Sequence, residues 1–473
     1  MCLKYKLLMK NLYFFAFGIL LLLSIDGNAQ ANNTIQQEPQ NGFNRCATVE
    51  FQAMLKSKYP NLETDKEFEG WIANKITEAK ERQKLNRTQS PNIVITIPVV
   101  VHVISNGDPI GVEENISEAR VRSQIEVLNQ DFRRMVDTPG FNTDPVGADM
   151  EINFVLAQRK PDNVTPTNGI DRVDWSIDVF NVDDEVHAMK ADTQWDPTKY
   201  LNIWTAKFTS DSAYKSSLVP GGLYNTLGYA QFPTSSGLFG LNVNGGSSNT
   251  DGLVLDYRCF GSKALAPNSG NYFPSYDRGR TTTHEIGHCF GLRHIWGDGS
   301  GSASANRSDC SKTDYCADTP QAGYANYNCL APIDSCVSDS FYDMVENYMD
   351  YTNDLCMNIF TNDQKTRMQA VLQNSPNRKT LSTSNAGTPL GLDTFASTDF
   401  RLYPNPTDNL LNFSSDISFD DYEIFNSLGQ QIVSKKPITA TDFSINVSQF
   451  SVGIYFLKIY KDNQSKTEKF IKY

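Results

Sequence analysis

Three of the five histidines of this 473-residue chain lie between His284 and His294. In the stretch HEIGH, His284 and His288 are four residues apart, so a helix places both imidazoles on one face, within reach of one Zn²⁺. Gly291 lets the backbone leave that helix in a left-handed conformation, so that His294 can return to the same ion. Three neutral nitrogen ligands leave the fourth zinc position open, as a catalytic site requires. Glu285, beside the first ligand, is the natural general base.

The sequence on the N-terminal side of this motif predicts an α/β layer. Residues 93–104 form a β-branched run that is typical of a buried strand. Ser117 can cap a following helix, and residues 152–157 form the next strand. This strand–helix–strand order indicates an α/β fold. Further strands are predicted at residues 200–205, 228–232 and 253–257.

The chain changes character after the histidine motif. Residues 297–356 are polar and hold five of the nine cysteines, which predicts an irregular, disulfide-stapled subdomain rather than a sheet layer. A short helix is predicted at residues 363–373, and a Ser-, Thr-, Gly- and Pro-rich stretch that is typical of a linker follows it. Residues 394–473 show short alternating strands, which predict a separate, small all-β sandwich.

The N-terminal residues have the features of an export signal. Three lysines precede an apolar run at residues 12–25 that is too short to span a bilayer, and a small-residue cleavage site ends at Ala29. The mature cysteines then meet an oxidising compartment. We therefore expect a signal peptide (1–29), a pro-segment (30–91), a catalytic domain (92–380), a linker (381–393) and a C-terminal domain (394–473).

Composition narrows the partners of the mature protein. The formal charge is −12, with 42 Lys and Arg against 54 Asp and Glu, which argues against nucleic-acid binding and against a polybasic membrane surface. We expect no transmembrane span once the signal is removed.

Within the pro-segment, one helical stretch is predicted at residues 65–85, and its apolar face is expected to contribute little core.

Two motifs together resemble a known family. The stretch HEIGHCFGLRHIWGD at residues 284–298, followed by NYMDY at residues 347–351, resembles the metzincin metallopeptidases, specifically the pappalysin/ulilysin-like (cytophagalysin) branch. The resemblance covers roughly residues 92–375 and implies a twisted mixed sheet with an active-site helix and an irregular lower subdomain. It also implies that Met349 forms a hydrophobic floor beneath the zinc ligands. Tyr351 would lie near the metal and donate to the oxyanion of the reaction intermediate.

Cys46 stands alone in the pro-segment, within the stretch NRCAT. A thiolate is a good zinc ligand, so this cysteine is predicted to occupy the open metal position and keep a zymogen inactive until proteolysis removes it. The family resemblance supports this role, because relatives carry a similar Arg-Cys-Gly-Thr stretch. In this chain Ala47 takes the place of the glycine. A disulfide role for Cys46 is the alternative.

The resemblance also assigns the cysteines and a second metal. It implies that Ca²⁺ binds at Asp314 and Thr319, whereas Asp318 either joins them or caps a turn. It implies two disulfides, Cys310–Cys336 and Cys329–Cys356, and the spacing of Cys259, Cys289 and Cys316 leaves any further pair among them open.

Substrate preference is the least constrained property. Relatives that cut before Arg or Lys are expected to carry an acidic residue immediately before the cysteine that corresponds to Cys356. Leu355 occupies that place here, and Asp354 lies one position earlier. The preference for the residue after the scissile bond therefore stays open in the sequence.

The C-terminal region resembles a secretion signal of a different kind. Four ordered stretches, at residues 400–407, 422–433, 445–460 and 469–472, resemble the C-terminal sorting domain of the type IX secretion system. The resemblance implies passage through the periplasm of a Gram-negative bacterium to the cell surface or the medium, with the secretion machinery as a partner. A carbohydrate- or protein-binding sandwich is the competing interpretation.

These patterns together predict a secreted zinc-dependent endopeptidase that acts on proteins or peptides and is made as a cysteine-blocked zymogen. A substrate strand would pair with an edge strand such as residues 228–232. The alternative is a non-catalytic, zinc-containing surface adhesin or binding protein. The presence of Glu285 and Tyr351 argues against that alternative, since a structural zinc site needs neither.

Overall fold

The described part of the chain excludes the predicted signal peptide. The computed structural model describes residues 42–60, 62–85, 94–235, 250–300, 307–329, 332–337, 340–389, 401–415, 418–427, 429–438, 442–461 and 464–473. No helix within these ranges is both long enough and apolar enough to cross a membrane.

A six-stranded mixed sheet forms the frame of the catalytic region. Its strands follow the order β2-β1-β4-β6-β5, and β3 pairs with the second half of β1. All neighbours are parallel except β5, which runs antiparallel to β6 at one edge. The predicted strands are confirmed within one or two residues, whereas β3 was not predicted. The strands are β1 (Ile95–Ser105), β2 (Ile152–Leu156), β3 (Ile170–Asp174), β4 (Leu201–Ala206), β5 (Gly228–Ala230) and β6 (Leu253–Asp256).

Helices cover this sheet and carry the site. The Ser117 hydroxyl caps α3 as predicted, because its oxygen accepts a hydrogen bond from the Arg120 amide at 3.2 Å. Every residue of α5 is buried, so its histidines lie inside the molecule. The helices are α1 (Thr48–Lys58), α2 (Asp65–Leu85), α3 (Glu118–Phe132), α4 (Asp183–Thr193), α5 (Arg280–Cys289) and α6 (Asn362–Asn374).

The described residues of the pro-segment form two helices, where the sequence predicted one. Phe51 and Leu55 are buried on one face of α1. The apolar residues of this segment are too few for their spacing to predict a helix. The expectation that α2 contributes little core is wrong. Its Phe68 and Ile72 are 2% and 1% exposed and pack with Val371 of α6, because the catalytic domain supplies the apolar surface that the pro-segment lacks.

The region between α5 and α6 is irregular, and both disulfides implied by the resemblance are confirmed. Cys310 pairs with Cys336 and Cys329 pairs with Cys356, which staples this region into the predicted lower subdomain. Cys259, Cys289 and Cys316 are free and buried. No further disulfide is present among the cysteines that the structure describes.

The C-terminal domain is all β, as predicted. It contains a four-stranded sheet (β10-β9-β12-β13) and a three-stranded sheet (β11-β8-β7), both antiparallel. Phe413, Ile424 and Leu457 are fully buried in a core of its own. The strands are β7 (Arg401–Tyr403), β8 (Leu410–Ser414), β9 (Asp421–Asn426), β10 (Gln431–Pro437), β11 (Asp442–Asn446), β12 (Gly453–Lys461) and β13 (Gln464–Lys472).

The predicted linker begins with residues that pack against the catalytic region. Leu381 and Ala386 are buried, and the Gln158 amide just after β2 donates to the Ala386 carbonyl at 2.8 Å. Residues 381–389 are therefore attached to the end of the sheet. The domain boundaries as a whole stay predictions.

Candidate metal centre

The backbone turn at Gly291 brings the third histidine back to the first two. Helix α5 ends at Cys289, and Gly291 follows with φ of +89°, a left-handed conformation that side chains disfavour. A Cβ at Gly291 would also lie 2.8 Å from the Val371 side chain. The chain then reverses, and His294 Nε2 lies 3.1 Å from His288 Nε2.

The three imidazoles turn their Nε2 atoms toward one another and bind oxygen atoms through their Nδ1 atoms. Each Nδ1 is bonded to an oxygen: His284 to the Tyr348 carbonyl at 2.7 Å, His288 to the Leu292 carbonyl at 2.8 Å, and His294 to an Asp298 carboxylate oxygen at 2.5 Å. A carbonyl only accepts, so at His284 and His288 the ring proton sits on Nδ1 and Nε2 keeps its lone pair. The carboxylate of Asp298 selects the same tautomer at His294.

This donor set fits a zinc ion. The Nε2 atoms of His284 and His294 lie 3.2 and 3.1 Å from that of His288, so three ring nitrogens face one another. Burial, reinforced by the neighbouring imidazoles, lowers the pKa of His288 to about 3 and that of His284 well below its usual value. Neutral imidazoles with converging lone pairs are the ligands that Zn²⁺ prefers.

Met349 lies against the active-site helix. A Cβ built on Gly287, between the first two histidines, would collide with the Met349 sulfur, so only glycine allows this close approach. Met349 is fully buried. The methionine therefore packs directly beneath the helix that carries His284 and His288, where the resemblance put it.

Cys46 brings the pro-segment into the same site. The sulfur of Cys46 and one ring nitrogen from each of the three histidines all lie within 4.8 Å of one another. The Cys46 thiol also points at Glu285 Oε2, 3.5 Å away. Burial raises the pKa of this thiol well above its usual range, so a thiolate here needs a neighbouring cation, which the imidazoles would hold.

Glu285 is fully buried and is engaged by the pro-segment. Its Oε2 accepts a hydrogen bond from the Thr48 hydroxyl at 2.9 Å, whereas its Oε1 has no hydrogen-bond partner in the described part of the protein. Burial raises the pKa of Glu285 to about 8. The sequence did not single out Thr48, although it belongs to the same five-residue stretch as Cys46.

The pro-segment runs along the edge strand β5. The Leu227 amide donates to the Asn44 carbonyl at 2.9 Å, and the Ala47 amide donates to the Gly228 carbonyl at 3.0 Å. Asn44 pairs with Thr226 in the parallel sense. The edge predicted to bind substrate is therefore covered by residues 44–48.

Tyr351 contacts both the pro-segment and the third histidine. Its hydroxyl donates to the Cys46 carbonyl at 3.1 Å, and its ring lies 4.9 Å from the His294 ring and 4.8 Å from the Trp296 ring, centroid to centroid. The tyrosine, the cysteine and the third histidine thus share one cleft.

A buried cation-binding pocket adjoins the site. Arg45 is fully buried and donates to Asp354 Oδ1 at 2.9 Å and to the Thr352 carbonyl at 2.7 Å, with its guanidinium carbon 5.2 Å from the centre of the Tyr276 ring. Leu355, which occupies the expected acidic position in the sequence, is 66% exposed. Asp354, one residue earlier, is therefore the acidic group of this pocket.

The proposed calcium residues lie together in the irregular subdomain. The Thr319 hydroxyl donates to Asp314 Oδ2 at 2.8 Å, and the Cys316 amide donates to Asp314 Oδ1 at 3.1 Å. Burial raises the pKa of Asp314 to about 7. Asp318 lies beside the first turn of α6, where its carboxylate accepts a hydrogen bond from the Asp363 amide at 2.9 Å, whereas the N-cap of that helix is Thr361.

Comparisons with known proteins agree with this geometry. Residues 259–373 match the profile of the pregnancy-associated plasma protein-A family, and residues 401–473 match that of the secretion system C-terminal sorting domain. An extracellular metalloprotease of Neurospora crassa is 33% identical over 297 residues, which are 63% of this chain and 81% of that protein. One of Arthroderma gypseum is 27% identical over 302 residues, 64% of this chain and 80% of that protein.

Solved structures give the same result. A promirolysin mutant from Tannerella forsythia is 33% identical, with a TM-score of 0.50, and the match covers 72% of this chain and 97% of that one. The mixed sheet, the buried histidine helix and the methionine beneath it define a zinc metalloendopeptidase of the metzincin class. The chain belongs to the pregnancy-associated plasma protein-A family within that class. It is a secreted enzyme made as a zymogen, and the adhesin alternative is not favoured.

Proposed function

We propose that His284, His288 and His294 bind the catalytic zinc and that Glu285 and Tyr351 act on the substrate beside it. The observation that carries this proposal is the clustering of one ring nitrogen from each histidine with the Cys46 sulfur, which also contacts Glu285. A zinc ion held there would polarise the scissile carbonyl and lower the pKa of a water molecule to about 7.

Two side chains of the protein then handle the proton and the charge. Glu285 orients the attacking water, accepts its proton and delivers that proton to the leaving nitrogen. The Tyr351 hydroxyl already donates to a peptide carbonyl in the cleft, that of Cys46, which supports a role in donating to the oxyanion of the substrate. The exposed edge of β5 would hold the substrate backbone once residues 44–48 leave.

The pro-segment blocks each of these groups separately. The Cys46 sulfur lies where it would take the fourth zinc position, the Thr48 hydroxyl donates to Glu285 Oε2, and the Cys46 carbonyl accepts from the Tyr351 hydroxyl. We infer that latency depends on all three contacts and ends when proteolysis removes the pro-segment.

We further propose that the enzyme cuts before Arg or Lys. The pocket that holds Arg45 is anionic, and its Asp354 carboxylate is fixed by the Arg278 and Arg280 amides at 2.9 and 3.2 Å. Arg45, which fills this pocket, is one residue from the metal-blocking Cys46. The side chain that follows the scissile bond of a substrate would therefore reach the same pocket. A buried carboxylate of this kind favours a cation and disfavours neutral side chains.

One experiment tests the catalytic assignment. In purified, activated protein, Glu285→Gln should reduce kcat/KM for a peptide with Arg after the scissile bond by about 10²- to 10⁴-fold while the zinc content is unchanged. Glu118→Gln is the matched control, because Glu118 is about half exposed and pairs with Arg122 of its own helix, far from the cleft in the chain. Full activity in the Glu285 variant, or an active enzyme without zinc, would refute the assignment.

Two further assignments rest on the family resemblance. We propose that Ca²⁺ binds at Asp314 and Thr319, supported by their contact and by the burial of the carboxylate. A Ca²⁺-dependent rise in Tm that disappears in Asp314→Asn would test this. We also propose that residues 401–473 engage the type IX secretion machinery, and deletion of these residues should leave the protein inside the cell.

A further inference from the structure

A second buried contact joins the pro-segment to the catalytic domain, well away from Cys46 in the chain. Glu69 of α2 is 7% exposed, and both of its carboxylate oxygens accept from Arg367 of α6 at 2.7 Å. Arg293 Nε donates to the same carboxylate at 3.0 Å, and its Nη2 reaches Asp65 at 3.1 Å. Two guanidinium groups of the catalytic domain therefore converge on one carboxylate of the pro-segment.

The catalytic domain holds both arginines in place by itself. Arg367 Nε donates to the Gly291 carbonyl at 2.5 Å, and the guanidinium of Arg293 lies 4.3 Å from the centre of the Phe232 ring. Within the described part of the catalytic domain, the only carboxylate in an ion pair with either arginine is Asp298, 3.8 Å from Arg293. Removal of the pro-segment leaves a preorganised pair of guanidinium groups without its main carboxylate.

We propose that Arg293 and Arg367 form a carboxylate-binding subsite of the mature enzyme, which takes an acidic side chain of the substrate, and that Glu69 occupies this subsite in the zymogen. Paired guanidinium forks bind a carboxylate with charge-assisted, directional hydrogen bonds. The proposal rests on the proposed peptidase function and adds a second specificity determinant to it.

The direction of the pro-segment indicates which side of the scissile bond the acidic residue occupies. Residues 44–48 run along the chain from Asn225 to Ala230, with Arg45 on the Asn225 side of Cys46. Phe232, which stacks on Arg293, lies beyond the other end of that strand. Since the Arg45 pocket takes the residue after the scissile bond, the arginine pair takes a residue before it.

Matched peptides test the substrate assignment directly. Each peptide carries Arg after the scissile bond and differs only in having Glu or Gln at one of the four or five positions before it. Proteolytically activated enzyme should cleave the Glu peptide on the order of 10-fold faster, in kcat/KM, at one of these positions, and the preference should shrink as salt rises. Equal rates at every position would overturn the proposal. Failure to cleave any peptide would instead contradict the peptidase assignment.

Variants connect the preference to the two arginines. Arg293→Gln should bring the ratio of Glu to Gln rates close to 1, whereas Arg293→Lys should keep part of it. The ratio is used because it cancels any general loss of activity, and circular dichroism checks folding. A ratio that is unchanged in Arg293→Gln would exclude this site as the source of the preference.

A binding measurement does not depend on catalysis. A fluorescent peptide of residues 65–85 is titrated onto the Glu285→Ala protein after its pro-segment has been removed by added wild-type enzyme. Glu69→Gln in the peptide should weaken binding on the order of 10-fold. The matched control is Glu78→Gln, because the Glu78 side chain is 46% exposed and its carboxylate pairs with Lys75 of the same helix. Equal affinity of the Glu69 variant and the parent peptide would overturn the subsite.

Discussion

Replacing Arg45 by alanine should weaken latency without altering the mature enzyme, because Arg45 leaves with the pro-segment. In the zymogen the Arg45–Asp354 pair is fully buried, with a 2.9 Å contact. The same guanidinium also binds the Thr352 carbonyl and stacks on Tyr276. Arg45→Ala therefore removes one partner of a buried ion pair and leaves a carboxylate in a closed pocket.

The magnitude follows from what the remaining carboxylate retains. Removing one partner of a buried pair costs about 3 to 5 kcal/mol. The Arg278 and Arg280 amides still donate to Asp354 in the variant, which places the expected cost near the lower end. A cost of about 3 kcal/mol corresponds to roughly a 100-fold increase in the population with a displaced pro-segment.

The assay follows spontaneous activation of purified zymogen with a fluorogenic peptide that has Arg after the scissile bond. Arg45→Ala should activate roughly 100-fold faster than the parent, and both mature enzymes should have the same kcat/KM. Lys58→Ala is the control, since its pair with Asp184 is exposed on both sides and is worth at most about 1 kcal/mol. An Arg45→Ala zymogen as latent as the control would refute the pocket as an anchor.

Three further outcomes are expected. Cys46→Ala should give a zymogen with measurable activity before any cleavage, because the fourth zinc position is then open to water. A peptide assay alongside a gel that shows the intact chain checks this. Asp251→Asn should lower the free energy of unfolding in urea by about 3 kcal/mol or more, because Asp251 pairs at 2.7 Å with Arg378 and both side chains are 3% exposed. An unchanged midpoint would contradict that expectation. Joint replacement of Cys310 and Cys336 by alanine should lower stability by about 3 kcal/mol, since the bridge closes a loop with a sequence separation of 26, and loss of the effect under reducing conditions is the control.

The elements that the sequence predicted well are those whose pattern repeats over a short distance. β1 is a run of β-branched residues, and α3 begins at a capping serine, so each could be located within about two residues. Helix α1 was missed because its buried residues, Thr48, Phe51 and Leu55, include only two large apolar side chains, and these pack against apolar residues of the catalytic domain. The local spacing of residues does not reveal an apolar surface that a distant part of the chain provides.

The same distinction applies to the site. The spacing of His284, His288 and His294 could be read from one short window of sequence, because helical geometry and one left-handed turn relate them. The hydrogen-bond partners of these histidines were harder to predict from the sequence. Tyr348 is 64 residues from His284, whereas Asp298 is four residues from His294 and could have been considered from the sequence.

By itself, the sequence determined the kind of metal centre, the family and the export route, because each is written in a contiguous motif. The tertiary structure alone decided that Asp354, rather than Leu355, faces the pro-segment, through a contact 309 residues apart. It also decided that Arg293 and Arg367 share Glu69. Contacts of this kind depend on how separate elements pack against one another. Asp354 and Leu355 lie in an irregular segment, where no sequence periodicity specifies the direction of a side chain.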